Sequence, residues 1–587
     1  MAQTRDRLLR VDLTAGTVES ERVPDRWRRR YLGGKGLGAR YLYEELDPGV
    51  DPLGPDNALL VLLGPLSGYL PGDARYAAVT RSPLTGAFLD TYAGGSFPER
   101  LAGALDAHVG VLVTGRAPEP VRLVVADGDA RVEPAETWGR DAVETCRAFP
   151  DAGVACIGPA GENEVAYATI ASDEAEHHAG RGGAGAVMGA KRLKAVVARG
   201  ELTVPADLAE LRAAHERTYA ETDTGRWMTA SGTLETVDFA DEAGALAANG
   251  WRDRSFDGAD AVGIEAARAA ATGRERDGPV PGGFRVETPV GESVPRGATA
   301  MSLGAVLGID EFDAVATLGE TCNRLGVDVI SAGGAVAWAV RASEAGHLDR
   351  DLSFGDPAAV RDLLAEVVAR RSRLGDALAD GIAAAAARYD APALVPTVKG
   401  MALPAYDPRG APGMALAYAT SDRGACHRRA LPVEEEVFAD WSPARTAAVV
   451  VAAQNGRSVL WSLVGDDFAS AALDDLGAEY LAAVDRDVTP AELRAVGERV
   501  WTLTRLFNAR EGFDRADDRL PAVLREPAGE DGAAVDEATF ERMLDAYYAA
   551  RGWSADGLPA RTTLDRLDLT AVVDADTPVA ADPLDHP

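Results

Sequence analysis

The chain changes character at Pro205, and that change sets its fold class. Before it, short apolar runs are punctuated by Gly, Pro and Asp. "LLRVDLTAGTVESERV" alternates and turns at Ala15-Gly16 like a hairpin, and "NALLVLLGPLSG", "VGVLVTGRA", "PVRLVVADGDARVEP" and "KRLKAVVARG" read as further strands. After it, helical spacing takes over in "DLAELRAAHERTYAETD", where Asp207 is the expected cap, and in "IDEFDAVATLGETCNRLG" and "SPARTAAVVVAAQNGRSVLWSLVG". At 587 residues the chain is too long for a single core. We therefore expect an α+β protein. An N-terminal β-sheet platform (1–205) is followed by two mainly α-helical domains (206–395 and 396–587), with loop at 250–297 and a disordered C-terminal tail beginning at Leu567.

Charge narrows the functional classes. Lys and Arg total 60 against 92 Asp and Glu, a formal charge of −32. Nucleic acid and anionic membrane surfaces attract positive patches, so neither is an expected partner. No apolar run approaches the ~18 residues of a membrane span, and the N-terminus carries no apolar signal region, so a cytoplasmic location is expected. The four cysteines are widely spaced and offer no disulfide framework. Only Lys35, Lys191, Lys194 and Lys399 are lysines; other basic positions are Arg. Such an acidic, lysine-poor surface suits a protein kept soluble in high salt, and GC-rich coding accounts for the same composition. The lysines that persist all lie in or beside glycine-rich or turn segments, which suggests a need for a compact point charge that a guanidinium cannot meet.

Three glycine clusters are the candidate binding elements. "YLGGKGLGARYLYEEL" places Gly33 to Gly38 and Lys35 before a helix, either as a phosphate cradle or as a tight strand-to-helix turn. "DTYAGGSFPERL" carries Gly94 and Gly95. "HHAGRGGAGAVMGAKRLKAVV" sets Arg181 among glycines, where backbone can approach a ligand and a guanidinium can grip phosphate. His177-His178 just upstream read as an exposed loop rather than a metal pair. Cys426-His427, flanked by Arg423, is open to three readings: a redox or metal site, a nucleophile pair, or a pocket wall. Of the two, His427 is the better candidate, because imidazole exchanges a proton near neutral pH.

In order, these segments resemble the aldehyde ferredoxin oxidoreductases, tungsten-pterin enzymes. The stretches that carry the likeness are "YLGGKGLGARYLYEEL", "GPLSGYLPGDARYAAVTRSPLTGAFLDTYAGG", "ASDEAEHHAGRGGAGAVMGAKRLKAVV", "GIDEFDAVATLGETCNRLGVDVISAGGAVAWA" and "VKGMALPAYDPRGAPGMALAYATSDRGACHRRA". With the composition, they suggest a divergent haloarchaeal member. The resemblance implies tungsten held by the dithiolene sulfurs of two pterins, phosphates meeting at magnesium, a [4Fe–4S] cluster, ferredoxin as electron partner and an aldehyde as substrate. It implies that Arg75, Gly94, Gly95, Arg181, Gly182 and Gly183 line the pterin phosphates. "NRLGVD" would be a pterin-binding element holding Asn323, Gly326, Val327 and Asp328, and His427 would stand near the metal as the catalytic group.

The sequence departs from that family where thiols and carboxylates would stand. The loop expected to carry three cluster cysteines reads "TGRERDGPVPGGFRVETPVGESVPRG", and Asp466 occupies the place of the fourth. Ala298 stands for a catalytic Glu, Asn323 and Trp461 for the first Asp of each pterin element, and Tyr92 and Ala93 for an Asn that reaches magnesium. These changes argue against a [4Fe–4S] cluster. They leave two main readings: an aldehyde-oxidising tungstopterin enzyme with an altered electron path, or an impaired paralogue acting as a binding or regulatory subunit. A homodimer or a paralogue partner is expected by the same resemblance.

Overall fold

The computed structural model describes residues 5–469, 473–529 and 532–581. Its N-terminal part is two six-stranded sheets packed face to face. The first contains β1 (Arg7–Asp12), β2 (Thr17–Arg22), β3 (Leu59–Leu62), β4 (Tyr76–Arg81), β5 (Phe88–Ala93) and β6 (His108–Thr114), in the order β2-β1-β6-β3-β4-β5. The second contains β7 (Val121–Ala126), β8 (Asp129–Pro134), β9 (Gly153–Cys156), β10 (Ile170–Ser172), β11 (His177–Ala179) and β12 (Leu193–Arg199), in the order β11-β10-β9-β12-β7-β8. Each sheet is antiparallel except for one parallel pair, β1 with β6 and β12 with β7.

The period-2 alternation explains the layering. Leu9, Val11, Leu59 and Val61 of the first sheet share a core with Leu123, Val125, Ala155 and Val196 of the second. Their neighbours Leu8, Leu60, Leu62 and Val79 point the other way, onto helices Gly34–Glu45, Pro443–Leu463 and Pro490–Arg510. The two long helices start on caps readable in the sequence. The Ser442 hydroxyl accepts from the Arg445 N–H, and Thr489 and Glu492 form a reciprocal capping box. A second, mostly helical core surrounds Trp338, Tyr418 and Tyr547.

Three expectations are corrected. Helix Ala206–Glu221 begins after Pro205 with no side-chain cap, so Asp207 lies in its first turn instead. The stretch expected to be loop holds a small antiparallel sheet of β13 (Ala271–Arg274), β14 (Phe284–Thr288) and β15 (Gly291–Ser293). The tail expected to be disordered is packed as far as the described residues go. Leu569 is fully buried, the Arg510 Nη1 donates to Asp574 at 3.0 Å, and Thr577 shares a hydrogen bond with the Tyr43 hydroxyl. Residues 582–587 of that tail lie outside the described residues.

Candidate active site

The two sheets and the helical layers leave a cavity of about 350 Å³ where five segments meet. The loop before β4 and the end of β5 supply Asp73, Arg75, Tyr92 and Gly94. The edge strand β11 and the turn after it supply His177, His178 and Arg181. The third wall comes from Asn323, Val327 and Asp328, the fourth from Arg423, His427, Arg428 and Arg429, and the fifth from Trp461, Asp466, Asp467 and Phe468. Glu275 and Arg276, with Arg296, close it from the small sheet.

Of the residues named from the sequence, Arg75, Gly94, Arg181, Asn323, Val327, Asp328 and His427 line this cavity. Gly95, Gly182, Gly183 and Gly326 are not among its lining residues; they shape the backbone beneath it. Gly183 (φ 86°) caps helix Ala184–Ala190, and a Cβ there would sit 2.2 Å from the Ala166 carbonyl oxygen. Gly326 ends helix Phe312–Leu325 in the left-handed conformation. His177 and His178 are in strand β11, half-buried and facing the cavity, where the sequence had suggested an exposed loop. His178 is engaged at both ring nitrogens, with Thr169 Oγ1 at 2.8 Å and the Ala175 carbonyl at 2.9 Å. Burial holds both imidazoles down to about 4, so both are neutral at pH 7.

The cavity is built from arginines held by acids. Arg75 donates to Asp466 at 2.8 Å, Arg181 Nε to Asp328 at 3.4 Å, Arg428 Nε to Asp467 at 3.0 Å, and Arg296 grips Glu275 bidentately at 2.6 and 2.8 Å. Asp328 is itself fixed as the cap of helix Val329–Glu344, accepting from the Ser331 N–H at 2.9 Å. Arg429 lies 4.4 Å above the Trp461 ring and pairs with Asp422 at 2.9 Å and with Asp90. Beneath it, Lys35 is bonded to the same two carboxylates and fully buried. The Gly33-to-Gly38 cluster is thus a helix start rather than a phosphate cradle. A Cβ on Gly34 would fall 2.2 Å from the Trp461 carbonyl oxygen. The other lysines are also buried, Lys194 on Glu162, Lys399 on Asp518, and Lys191 on backbone carbonyls.

Cys426 and His427 do not form a nucleophile pair. The Cys426 thiol is buried and accepts from Arg423 Nη2 at 3.0 Å. Burial alone would raise it, but Arg423, Arg429 and Arg181 draw it down to about 7. His427 lies 5.8 Å from the Tyr406 ring, and its Nδ1 is buried with no hydrogen-bond partner among the described residues. Burial first, then Arg428, Arg181 and Arg423, keep this imidazole neutral far below its ordinary range. Arg409 is a structural anchor, closed on Asp407 and on the Trp251 carbonyl at 2.7 Å.

Several positions at which the sequence was expected to depart from the family pattern lie together. Tyr92 and Trp461 stack on one another in the cavity wall, centroids 5.1 Å apart and planes 22° from parallel. Asp466 is bonded to Arg75, and the neighbouring Asp73 to Arg276, in the loop where cluster cysteines had been expected. The four cysteines lie elsewhere. Cys146 and Cys156 are side by side in the second sheet layer (Sγ–Sγ 3.8 Å), Cys322 is inside helix Phe312–Leu325, and Cys426 is beside Arg423. Among the described residues no group of three or more His, Cys, Asp and Glu side chains is placed to hold a metal ion.

Sequence reasoning missed Asp73, Glu275, Arg276, Arg296 and Arg428 as cavity residues. Asp73, two residues before Arg75, and Arg428, next to His427 in "ACHRRA", could have been found; the others are joined to the site only by tertiary pairing.

Comparisons with known proteins bear on the whole chain. Residues 8–200 match the family described as aldehyde ferredoxin oxidoreductase, N-terminal domain, and residues 210–569 match its domains 2 and 3. The tungsten-containing aldehyde ferredoxin oxidoreductase of Pyrococcus furiosus is 34% identical over 600 residues, covering 96% of this chain and 98% of that protein. The namesake protein of Thermococcus kodakarensis is 33% identical, with the same coverage. The WOR-like subunit of an aliphatic sulfonate oxidoreductase of P. furiosus is 25% identical, covering 96% of each chain. Among solved structures, the active site complex BamBC of benzoyl coenzyme A reductase shares the fold, with a TM-score of 0.82 at 23% identity over 97% of this chain and 98% of that one. With both parts of the chain matched and a third of its residues shared along nearly its whole length, this protein belongs to the aldehyde ferredoxin oxidoreductase family.

Proposed function

We propose that the chain is a tungstopterin oxidoreductase that converts an aldehyde to a carboxylic acid and passes the electrons on without a [4Fe–4S] cluster of its own. The observation that carries this is the cavity's ring of guanidinium groups, Arg75, Arg181, Arg423, Arg428 and Arg429, around the neutral His427. The donor set fits a phosphate-bearing anionic cofactor. Arg75 and Arg423 each keep a buried Nε with no partner. Arg75, Arg181 and Arg423 would hold its phosphates, with Asp328 holding Arg181 in register.

When bound, the cofactor supplies a metal centre able to take the two electrons that leave an aldehyde as it gains water's oxygen. The residues of this chain do the rest. His427, kept uncharged, would present a ring nitrogen lone pair that accepts a hydrogen bond from the hydroxyl of the aldehyde's hydrate. Ala298 contributes no carboxylate, which leaves that task to His427.

The residues at the expected cluster position do not fit iron and sulfide. Thiolates are what such a cluster needs, and Asp466, Asp73, Arg75 and Arg276 neutralise one another there instead. Electrons would leave through a redox partner docking close to the cavity; ferredoxin, which the relatives' names carry, is the first partner to try. A second reading, a binding or regulatory subunit beside an intact paralogue, is favoured by the Tyr92–Trp461 stack, which replaces two polar cofactor contacts by an aromatic wall.

Elemental analysis of protein purified without air from its native host separates the two. Tungsten or molybdenum near one per chain with phosphorus and without iron, together with aldehyde-dependent reduction of a dye, is the expected result. Absence of metal and of phosphorus would establish the subunit reading instead. Iron near four per chain would refute the cluster-free assignment.

A further inference from the structure

Cys146 and Cys156 take no part in the cavity, yet their sulfurs are in contact, 3.8 Å apart. Cys156 is the last residue of β9 and is held on both sides, opposite Ala171 of β10 and Ala195 of β12. Cys146 belongs to the six-residue helix Ala142–Arg147, which runs into the mostly exposed turn 148–152. Val124, Val154, Ala171 and Val197 pack round the pair. A disulfide needs its sulfurs about 2.05 Å apart. The remaining closure falls to Cys146, because its short helix can shift while the sheet fixes Cys156.

A surface cavity of about 260 Å³ lies against the same turn, lined by Arg100 and Arg199 together with Phe149 and Ala152. Phe149 and Ala152 also pack on the cysteine cluster, so they stand between this opening and the sulfurs. Cys146 is 7% exposed and Cys156 fully buried, which makes Cys146 the sulfur that a small oxidant reaches first. The contact with Cys146, and then burial, hold the Cys156 thiol well above its ordinary 9, so it waits protonated as the second sulfur.

We propose that Cys146 and Cys156 form a reversible disulfide in the folded protein, made by a peroxide and undone by a dithiol, and that it fastens helix Ala142–Arg147 behind the cavity wall. Cys146 Sγ attacks one peroxide oxygen. The S–O bond forms, the O–O bond breaks, and the departing hydroxide takes the thiol proton and leaves as water. Cys156 Sγ then displaces the sulfur-bound hydroxyl. The S–S bond forms, the S–O bond breaks, and a second water carries off the Cys156 proton. Each thiol gives up one electron, and the peroxide takes both. The helix matters to the cavity through its cap. Asp141 accepts from the Glu144 N–H and also from Arg324 Nη2, and Arg324 adjoins Asn323 of the cavity wall. This site needs no cofactor, so it stands or falls apart from the aldehyde reading.

The test is peptide mapping of the full chain, treated with hydrogen peroxide while folded, then alkylated in urea and digested. Free thiols should fall from four to two. Cys146 and Cys156 should appear in one intramolecular cross-link, and dithiothreitol should restore all four thiols. Cys322, inside helix Phe312–Leu325, and Cys426, held by Arg423 at 3.0 Å, should stay free. Hydrogen exchange reads the consequence. Oxidation should slow the amides of residues 142–147 at least about tenfold, because the cross-link restricts local opening. The same treatment should leave exchange in Cys156→Ser unchanged, and Cys146→Ser, at the less buried position, gives the same control if the first variant does not fold. Four free thiols after peroxide, a cross-link that involves Cys322, Cys426 or a second chain, or Cys146 trapped as a sulfinic acid with Cys156 still free would each overturn the proposal. So would an oxidised protein whose 142–147 amides exchange as fast as those of the reduced one.

Discussion

Tyr92, at the end of β5, and Trp461, in the last turn of helix Pro443–Leu463, lie flat against each other with centroids 5.1 Å apart. Both are positions at which the resemblance led us to expect polar residues, and here they form one structural unit. The pair is further fixed by Tyr92 Oη donating to Asp90 at 2.6 Å and Trp461 Nε1 donating to Asp467 at 2.7 Å.

Trp461→Ala should therefore cost about 3–5 kcal/mol by leaving a large void. A double-mutant cycle with Tyr92→Leu should return a coupling of about 1 kcal/mol beyond area burial. Chemical denaturation of the four proteins measures both, and additive effects would show that the stack is not a unit.

Asp466 and Arg75 give a prediction in pH. Burial would raise the Asp466 carboxyl, but Arg75 and two backbone N–H groups outweigh it and hold it below its ordinary 3.8. Its contribution to stability is fully present above the unfolded value and is lost as pH falls through the folded one. Asp466→Asn should flatten the acid limb of the stability curve below about pH 4 and, by leaving Arg75 less compensated, cost about 3 kcal/mol at pH 7. Urea midpoints from pH 3 to pH 7 decide it.

Glu320 has the opposite sign. Burial outweighs the Asn323 hydrogen bond and Arg324, and pushes its carboxyl up to about 7. The stability tied to its neutral form is present below pH 4.5 and is lost as pH rises through 7, a change on the order of 3 kcal/mol. Glu320→Gln should raise the melting temperature at pH 8 and leave it nearly unchanged at pH 4.5. A uniform shift at both pH values would contradict the assignment.

Lys35 balances a buried quartet with Asp90, Asp422 and Arg429. Lys35→Met leaves two buried carboxylates facing one guanidinium and should cost 3 kcal/mol or more, on the order expected for a broken buried pair. Lys35→Arg should fail to restore it, because a planar fork does not fit the space of an ammonium packed 5.1 Å from the Phe88 ring. Calorimetry of the two variants compares them directly.

What the sequence disclosed follows the range of the interactions. The hairpin at Ala15-Gly16 and the strand at Leu193 are local, and each was legible from spacing. The glycine cluster pointed to Arg181 and imidazole chemistry to His427, and the family resemblance added Arg75 and Asp328. His177-His178 was misread because β11 has only three residues and no alternation to display. Arg276 was invisible because its partner, Asp73, is 203 residues away, and nothing in either neighbourhood announces the pair. The small sheet around β14 was hidden because its strands run to five residues at most and a Gly- and Pro-rich turn separates the first two.

The packing of residues 569–581 has a consequence for synthesis. The hydroxyl of Tyr43 meets that of Thr577 across 534 residues of chain, so the outer face of helix Gly34–Glu45 lacks that part of its cover while most of the protein is being made. At typical elongation rates this interval is roughly 30–100 s. During it the first sheet's helical layer, with Tyr43 and Leu46 at its rim, is open to the ribosome's surroundings. The protein's earliest-made domain is completed by some of its latest-made residues, and nascent-chain binding factors would find their longest-lived target there.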